Sequence, residues 1–103
     1  MFDYQLTPEA DDDLLEIARY TLKTWGEEQA EHYENKLRSI FEAIACGKAH
    51  SREVVKHRPE LRVSRCEHHY IFYRLRKNQA PLIIAILHEN MDLITRIRKR
   101  LLP

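Results

Sequence analysis

Apolar residues follow two different periods along this chain, and the change from one to the other divides it. In the opening stretch "FDYQL", Phe2, Tyr4 and Leu6 alternate with polar positions, the period of a half-buried strand. The period then lengthens. Ala10, Leu14, Ile17, Ala18, Thr21 and Trp25 recur at three and four residues and make one stripe of an amphipathic helix. Thr7 is placed to cap that helix, Pro8 suits its first turn, and Glu9 with Asp11, Asp12 and Asp13 complements the positive end of its dipole. Gly26 ends it, and Trp25 just before is expected in the core or at the hairpin closure, not as a binding aromatic. A second stripe, Ala30, Tyr33, Leu37, Ile40, Phe41 and Ile44, runs until Gly47. Two such helices with a tight turn between them predict an antiparallel hairpin.

The middle, "KAHSREVVKHRPE", has no sustained period and is expected to be a connecting loop, with a turn or short strand around Val54 and Val55. Beyond it the period becomes two. "LRVSRC", "HYIFYRLR" and "PLIIAILH" predict three strands, with "EHH" and "KNQA" as hairpin-length links. The last of them is apolar on both faces, with Leu82, Ile84 and Ile86 expected on one and Ile83, Ala85 and Leu87 on the other. A strand of that kind is central and covered on both sides. One helical hairpin covers a single face of a sheet, so the second face calls for "MDLITRIRKRLL" as a short helix, or for a second protein. The expected architecture is α+β: an N-terminal strand and two-helix hairpin on an antiparallel sheet of about four strands, closed by a short C-terminal helix, in a single domain over residues 1–103.

Composition narrows the setting. The start carries acids where a signal peptide needs bases, and no apolar run reaches membrane-spanning length, so a cytoplasmic protein is expected. Cys46 and Cys66 lack metal-ligand spacing and are expected to be reduced thiols. Asp11, Asp12 and Asp13 occupy consecutive helical positions about 100° apart and cannot close on one ion; no metal and no cofactor is expected. The formal net charge of +1 conceals a division. Residues 1–45 hold four bases against eleven acids, a net of −7, and residues 46–103 hold thirteen bases against five acids, a net of +8. The basic half either neutralises the acidic half or faces an anionic partner.

Particular stretches then carry a resemblance. "LTPEADDDLLEIARYTLKTWGEEQAEHY" resembles the amino-terminal hairpin of the RelE/ParE superfamily of bacterial toxins, and its "TWGEEQAEHY" junction is similar to ParE members. "LRVSRCEHHYIFYRL" followed by "IIAILHENMDL" resembles the ParE pattern of an arginine-led strand, an "IFYR" strand and an "LHxxMDL" close. The match covers essentially the whole chain. It departs at Ala85 and Glu89, where many relatives carry arginine and glycine, and in the loop "CGKAHSRE", which keeps only Arg52. The resemblance implies the toxin half of a type II toxin–antitoxin pair, neutralised by a ParD-like antitoxin that inserts a helix. ParE members inhibit DNA gyrase and block replication; RelE members cut messenger RNA on the ribosome.

Two sets of residues follow from these alternatives. A nuclease needs a base, an acid and cations around a phosphate, for which His88, Tyr73, Arg62 and Arg65 are the candidates. His88 also reads as a strand's exit, hydrogen-bonded locally. A gyrase inhibitor needs a basic surface, and Arg62, Arg65, Arg74, Arg76, Arg96, Arg98, Lys99 and Arg100 are the candidates for target engagement, with DNA contact arising indirectly through gyrase. The antitoxin groove is expected at Leu14, Tyr70, Phe72, Ile83 and Leu87. A non-toxic nucleic-acid-binding regulator is the remaining alternative.

Overall fold

The structure is a computed structural model and describes residues 3–101. The chain runs β1 (Gln5–Leu6), α1 (Pro8–Trp25), α2 (Glu27–Ala45), β2 (Arg52–Glu53), β3 (Leu61–Cys66), β4 (His69–Arg74), β5 (Leu82–His88) and α3 (Leu93–Leu101). Helix starts and stops follow local chemistry. The Thr7 hydroxyl accepts the Ala10 N–H at 3.1 Å and caps α1. Gly26 closes α1 and opens α2 at φ +92°, a conformation that disfavours a side chain and lets the chain reverse in one residue.

The five strands form one sheet in the order β1-β5-β4-β3-β2. This corrects the expected antiparallel sheet of about four strands. β2, β3, β4 and β5 are antiparallel neighbours, but β1 lies parallel to β5, because the α1–α2 hairpin and the meander between them return the chain in the same direction. β1 is also shorter than its alternation suggested: it pairs only Gln5 with Leu82 and Leu6 with Ile83. Phe2 lies outside the described residues, as does Leu102 of the expected last helix.

β5 is central and buried, as its composition predicted, but its faces are not those of plain alternation. Phe72 pairs with Ala85 and Tyr73 with Ile83, so Ile84 is an extra residue in β5. This bulge turns both Ile84 and Ala85 to one side and both Ile83 and Ile86 to the other. On the hairpin side, Ile83, Ile86, Ile71 and Tyr73 pack with Ala10, Leu14, Leu37, Phe41 and Ile44. On the opposite side, Ile84, Ala85, Leu87, Phe72 and Leu61 pack beneath Ile97 of α3. The second face is therefore covered by the chain itself: Leu87 is 1% exposed and Phe72 6%. Nine residues are too few for a helix to persist alone in water, so α3 owes its structure to this docking.

Replacing Ile97 by alanine should lower unfolding free energy by about 2 kcal/mol, the lower end for a buried aliphatic truncation. Urea denaturation measures the loss, and amide exchange should speed up through 93–101 while β3 and β4 keep their protection.

Candidate functional site

β5 is flanked by β1 only along its first two residues. Past that point α1 overhangs a sheet edge with no strand beneath it. The result is a groove of about 720 Å³ between the second half of α1, the start of α2, the β3–β4 turn and the exit of β5. Its apolar lining comes from Ile17, Tyr20, Trp25, Ile86 and Met91, and its polar lining from Asp13, Glu16, Gln29, Tyr33, Glu67 and three imidazoles. Trp25 is 68% exposed and Tyr20 67%, so Trp25 stands at the hairpin junction and not in the core. Trp25 does continue the inner stripe of α1, but the sheet that would cover it has ended there.

The edge itself is closed by side chains. The Ile86 N–H donates to Asp13 Oδ2 at 3.0 Å, and Ile84 C=O accepts from the Thr7 hydroxyl at 3.2 Å and from Arg100 Nη1 at 3.0 Å. Arg100 meets Asp13 in a two-pronged ion pair of 2.7 and 2.9 Å. The side chains are 18% and 16% exposed, so water screens this pair less than a surface pair. The carboxylate raises the already high pKa of the guanidinium.

The floor at the exit of β5 is a histidine cluster. His69 and His88 meet edge to face with ring centres 5.1 Å apart, and His68 lies over His88 at 6.3 Å. The Tyr33 hydroxyl donates to Cys66 C=O at 3.1 Å, which leaves its oxygen to accept the His69 Nδ1–H at 2.6 Å. His88 Nδ1 accepts the Asn90 N–H at 3.0 Å, so its proton sits on Nε2. That is the local hydrogen bonding of a strand's exit. His68 Nδ1 donates to Glu89 Oε2 at 2.7 Å, and Arg65 holds the other oxygen of Glu89. The His68 hydrogen bond, with Arg65 and His88 nearby, holds the Glu89 carboxyl below its ordinary range. Burial pushes the Tyr33 phenol and the Cys66 thiol up. Cys46 and Cys66 are free thiols. Among the described residues no three His, Cys, Asp or Glu side chains could hold a metal ion, and no helix is long and apolar enough to cross a membrane.

The structure separates the four nuclease candidates. Tyr73 is 4% exposed and its hydroxyl donates to Ser64 Oγ, whose own hydrogen goes to His50 C=O, on the hairpin side beneath α1 and α2. Arg62 is tied to Ser51 at 3.0 Å, and Arg65 points to the other sheet face, over the Tyr70 ring. His88 lines the groove without them. The basic candidates divide as well. Arg76 is held by Ala80 C=O and Gln5, Arg65 by Glu89, and Arg100 by Asp13. Arg96, Arg98 and Lys99 are exposed on α3 without an ion-pair partner among the described residues, and Arg74 keeps a buried Nε with no hydrogen-bond partner there.

None of the five expected groove positions lines the groove. Leu14 and Ile83 are buried under the hairpin, Phe72 and Leu87 lie in the α3-side cluster, and Tyr70 packs against that cluster and bonds Arg65. The bulge and the α3 cover are the physical reasons. Tyr20, Trp25 and Met91 line it instead; one signal in the sequence is that Leu15, Tyr20 and Leu22 give α1 more apolar positions than one stripe needs, and all three are exposed.

Burial, with His88 and His68 beside it, pulls the His69 pKa from 6.5 to about 4. Between those values the unfolded chain carries a proton that the folded chain lacks, so stability should fall as pH drops through that window. Urea unfolding from pH 7 to 4 should show this slope in the native chain and a shallower one in His69→Asn.

Comparison with known proteins places this geometry in a lineage. Residues 4–93 match the family described as "ParE toxin of type II toxin-antitoxin system, parDE". The chain is 44% identical to "Toxin ParE" of Escherichia coli over 101 residues, 98% of each chain. It is 32% identical to "Toxin ParE1" of Mycobacterium tuberculosis (strain ATCC 25618 / H37Rv) over 89 residues, covering 86% of this chain and 91% of the relative. The fold is shared with a chain of the solved structure titled "Chromosomal ParDE TA system from P. aeruginosa", at a TM-score of 0.64 and 20% identity, over 85% of this chain and 96% of that one. With nearly its whole length matched, this chain belongs to the ParE toxin family of type II toxin–antitoxin systems.

Proposed function

We propose that this toxin acts in the cytoplasm by binding DNA gyrase and blocking replication, and that a ParD-like antitoxin neutralises it. The observation that carries the reading is the ridge of Arg96, Arg98 and Lys99 on α3, cations with no internal ion-pair partner among the described residues. A basic surface of this kind engages an acidic protein patch or a DNA segment held by a larger enzyme. The mechanism is occupancy, without chemistry on a substrate. The burial of Tyr73 and the tether on Arg62 argue against the messenger-RNA endonuclease.

The groove beside β5 is the seat proposed for the antitoxin. Trp25 and Tyr20 stand two-thirds exposed above apolar Ile17 and Met91, the kind of aromatic anchor on which protein interfaces concentrate their affinity. The name of the solved ParDE system, in which a ParE-like fold occurs, supports such a partnership. The groove and α3 lie on different sides of the sheet, so the antitoxin reaches the target ridge only by wrapping or through the fold.

Induction of the toxin alone in bacteria should raise a DNA-damage reporter and cause filamentation while protein synthesis continues. Immediate translation arrest with cleaved transcripts would establish the nuclease, and normal growth the regulator. Alanine at Arg96, Arg98 and Lys99 together should weaken inhibition of purified gyrase at least tenfold with thermal stability retained, whereas His88→Ala should keep full toxicity. Trp25→Ala should weaken antitoxin binding by about 2 kcal/mol, roughly thirtyfold, by calorimetry.

A further inference from the structure

The floor of the groove is made by two histidines held in opposite tautomers. His69 and His88 lie directly across from each other on β4 and β5, on the side of the sheet that carries Ile71 and Ile86. The His69 ring gives its Nδ1 hydrogen to the Tyr33 hydroxyl, whose own hydrogen goes to Cys66 C=O, so His69 Nε2 carries a lone pair. The His88 ring accepts the Asn90 N–H on Nδ1, so its Nε2 carries the hydrogen. Neither Nε2 has a protein partner, yet the one buried side-chain nitrogen or oxygen without a partner among the described residues is Arg74 Nε. Both Nε2 atoms therefore open to the groove that their rings line. One acceptor and one donor stand there side by side.

Charge selects nothing further at this floor. Asp13 is paired with Arg100 and Glu67 with Lys36, His68 is bonded to Glu89, and burial holds His69 neutral at pH 7. Ile17, Tyr20 and Trp25 supply apolar walls. What fits is a neutral planar group with an acceptor and a donor on one edge, carried by an apolar body. A trans peptide unit points its C=O and N–H in opposite directions and cannot offer both to one spot. A primary carboxamide holds its oxygen and one N–H on the same edge, with the two heavy atoms roughly 2.2 Å apart. Hydrogen bonds of ordinary length then reach nitrogens on two rings whose centres are 5.1 Å apart.

We infer that the antitoxin segment seated in this groove carries an asparagine or glutamine whose carboxamide spans the two rings, accepting from His88 Nε2–H and donating to His69 Nε2. That the segment belongs to the antitoxin rests on the function proposed above; the preference of the floor for a carboxamide does not. A carboxylate in the same place meets the lone pair of His69 with its own, and an ammonium meets the hydrogen of His88 with another. The pair sorts partners by rejection, since a wrong group leaves a ring nitrogen unmatched where the occupant has excluded water.

Trp25 is the chain's single tryptophan and stands in the groove, so its fluorescence reports occupancy of the full chain. The probes are benzamide, N-methylbenzamide and benzoate, which share a ring and differ in the edge they offer. N-methylbenzamide holds its N–H trans to the carbonyl, and benzoate has no donor at pH 7. Benzamide should bind roughly tenfold more tightly than either, the loss expected for one unmatched hydrogen bond. Long-range nitrogen-15 NMR should place the His69 proton on Nδ1 and the His88 proton on Nε2, with benzamide shifting both Nε2 signals. His69→Phe and His88→Phe should each bring benzamide down to the affinity of N-methylbenzamide, and His88→Phe should weaken antitoxin binding roughly tenfold. Equal binding of the three probes, like tautomers in the two rings, or Nε2 signals that benzamide leaves unmoved would each overturn the inference on the native chain, whether or not a variant folds. Selective benzamide binding with antitoxin affinity unchanged in His88→Phe would overturn the antitoxin as the source of the carboxamide. If Trp25→Ala also leaves that affinity unchanged, it is the seating of the antitoxin in the groove that has failed.

Discussion

The outer edge of β5 sets the terms for the rest of this molecule. β5 is the most deeply buried strand, yet β1 pairs with only its first two residues. Backbone groups beyond that point need partners, since an unmet N–H or C=O away from water costs about as much as a broken hydrogen bond. A longer β1 would have supplied them. Here Thr7, Asp13 and Arg100 do so with side chains, drawn from the first helix, its cap and the last helix. The fold thereby gains a fixed position for α3 that its few apolar contacts would secure less well. It also gains an open groove where the strand would have run.

The same edge explains how the charge division survives folding. A net of −7 in residues 1–45 beside +8 in residues 46–103 could have cancelled by contact. Of the ion pairs among the described residues, only Arg100–Asp13 and Lys36–Glu67 join the two halves; the others lie within one half. The acids of α1 remain toward solvent and the groove, and the bases of α3 remain on the far side of the sheet. The two signs of charge thus sit on separate surfaces of a small domain.

Much of the fold was legible because its signals are local. Thr7, Pro8, Gly26 and Gly47 punctuate the helices within a residue or two of where they end, and the three long strands start where the apolar period shortens. What escaped has a common physical origin. A strand apolar on both sides carries no alternation, so the extra residue Ile84 leaves no trace in the pattern, although it puts Ile84 and Ile86, expected on one face, on opposite faces. The parallel pairing of β1 depends on where a chain returns after seventy-odd residues, which no local period records. The groove is harder still to read, since it is assembled from α1, α2, a turn and the exit of β5, and Trp25 sits on the stripe that elsewhere means burial. Leu14, on that stripe, and Ile83, on the sheet face expected to be open, are both buried between hairpin and sheet.

The second sheet face called for the C-terminal segment or a second protein, and α3 covers it with Ile97, Leu93 and Leu101, so that Phe72 and Leu87 vanish beneath them. The uncovered apolar area is instead on the edge, where a helix of 18 residues, roughly 27 Å long, extends past the sheet that carries it. An edge groove differs from a bare face in one respect that matters for control. A face can be covered without disturbing its backbone, whereas an edge already has its hydrogen bonds assigned. Asp13 and Arg100 carry part of that assignment, at the Ile86 N–H and the Ile84 C=O. The position of the basic helix is thus tied to the edge of β5 by the same bonds that complete the strand.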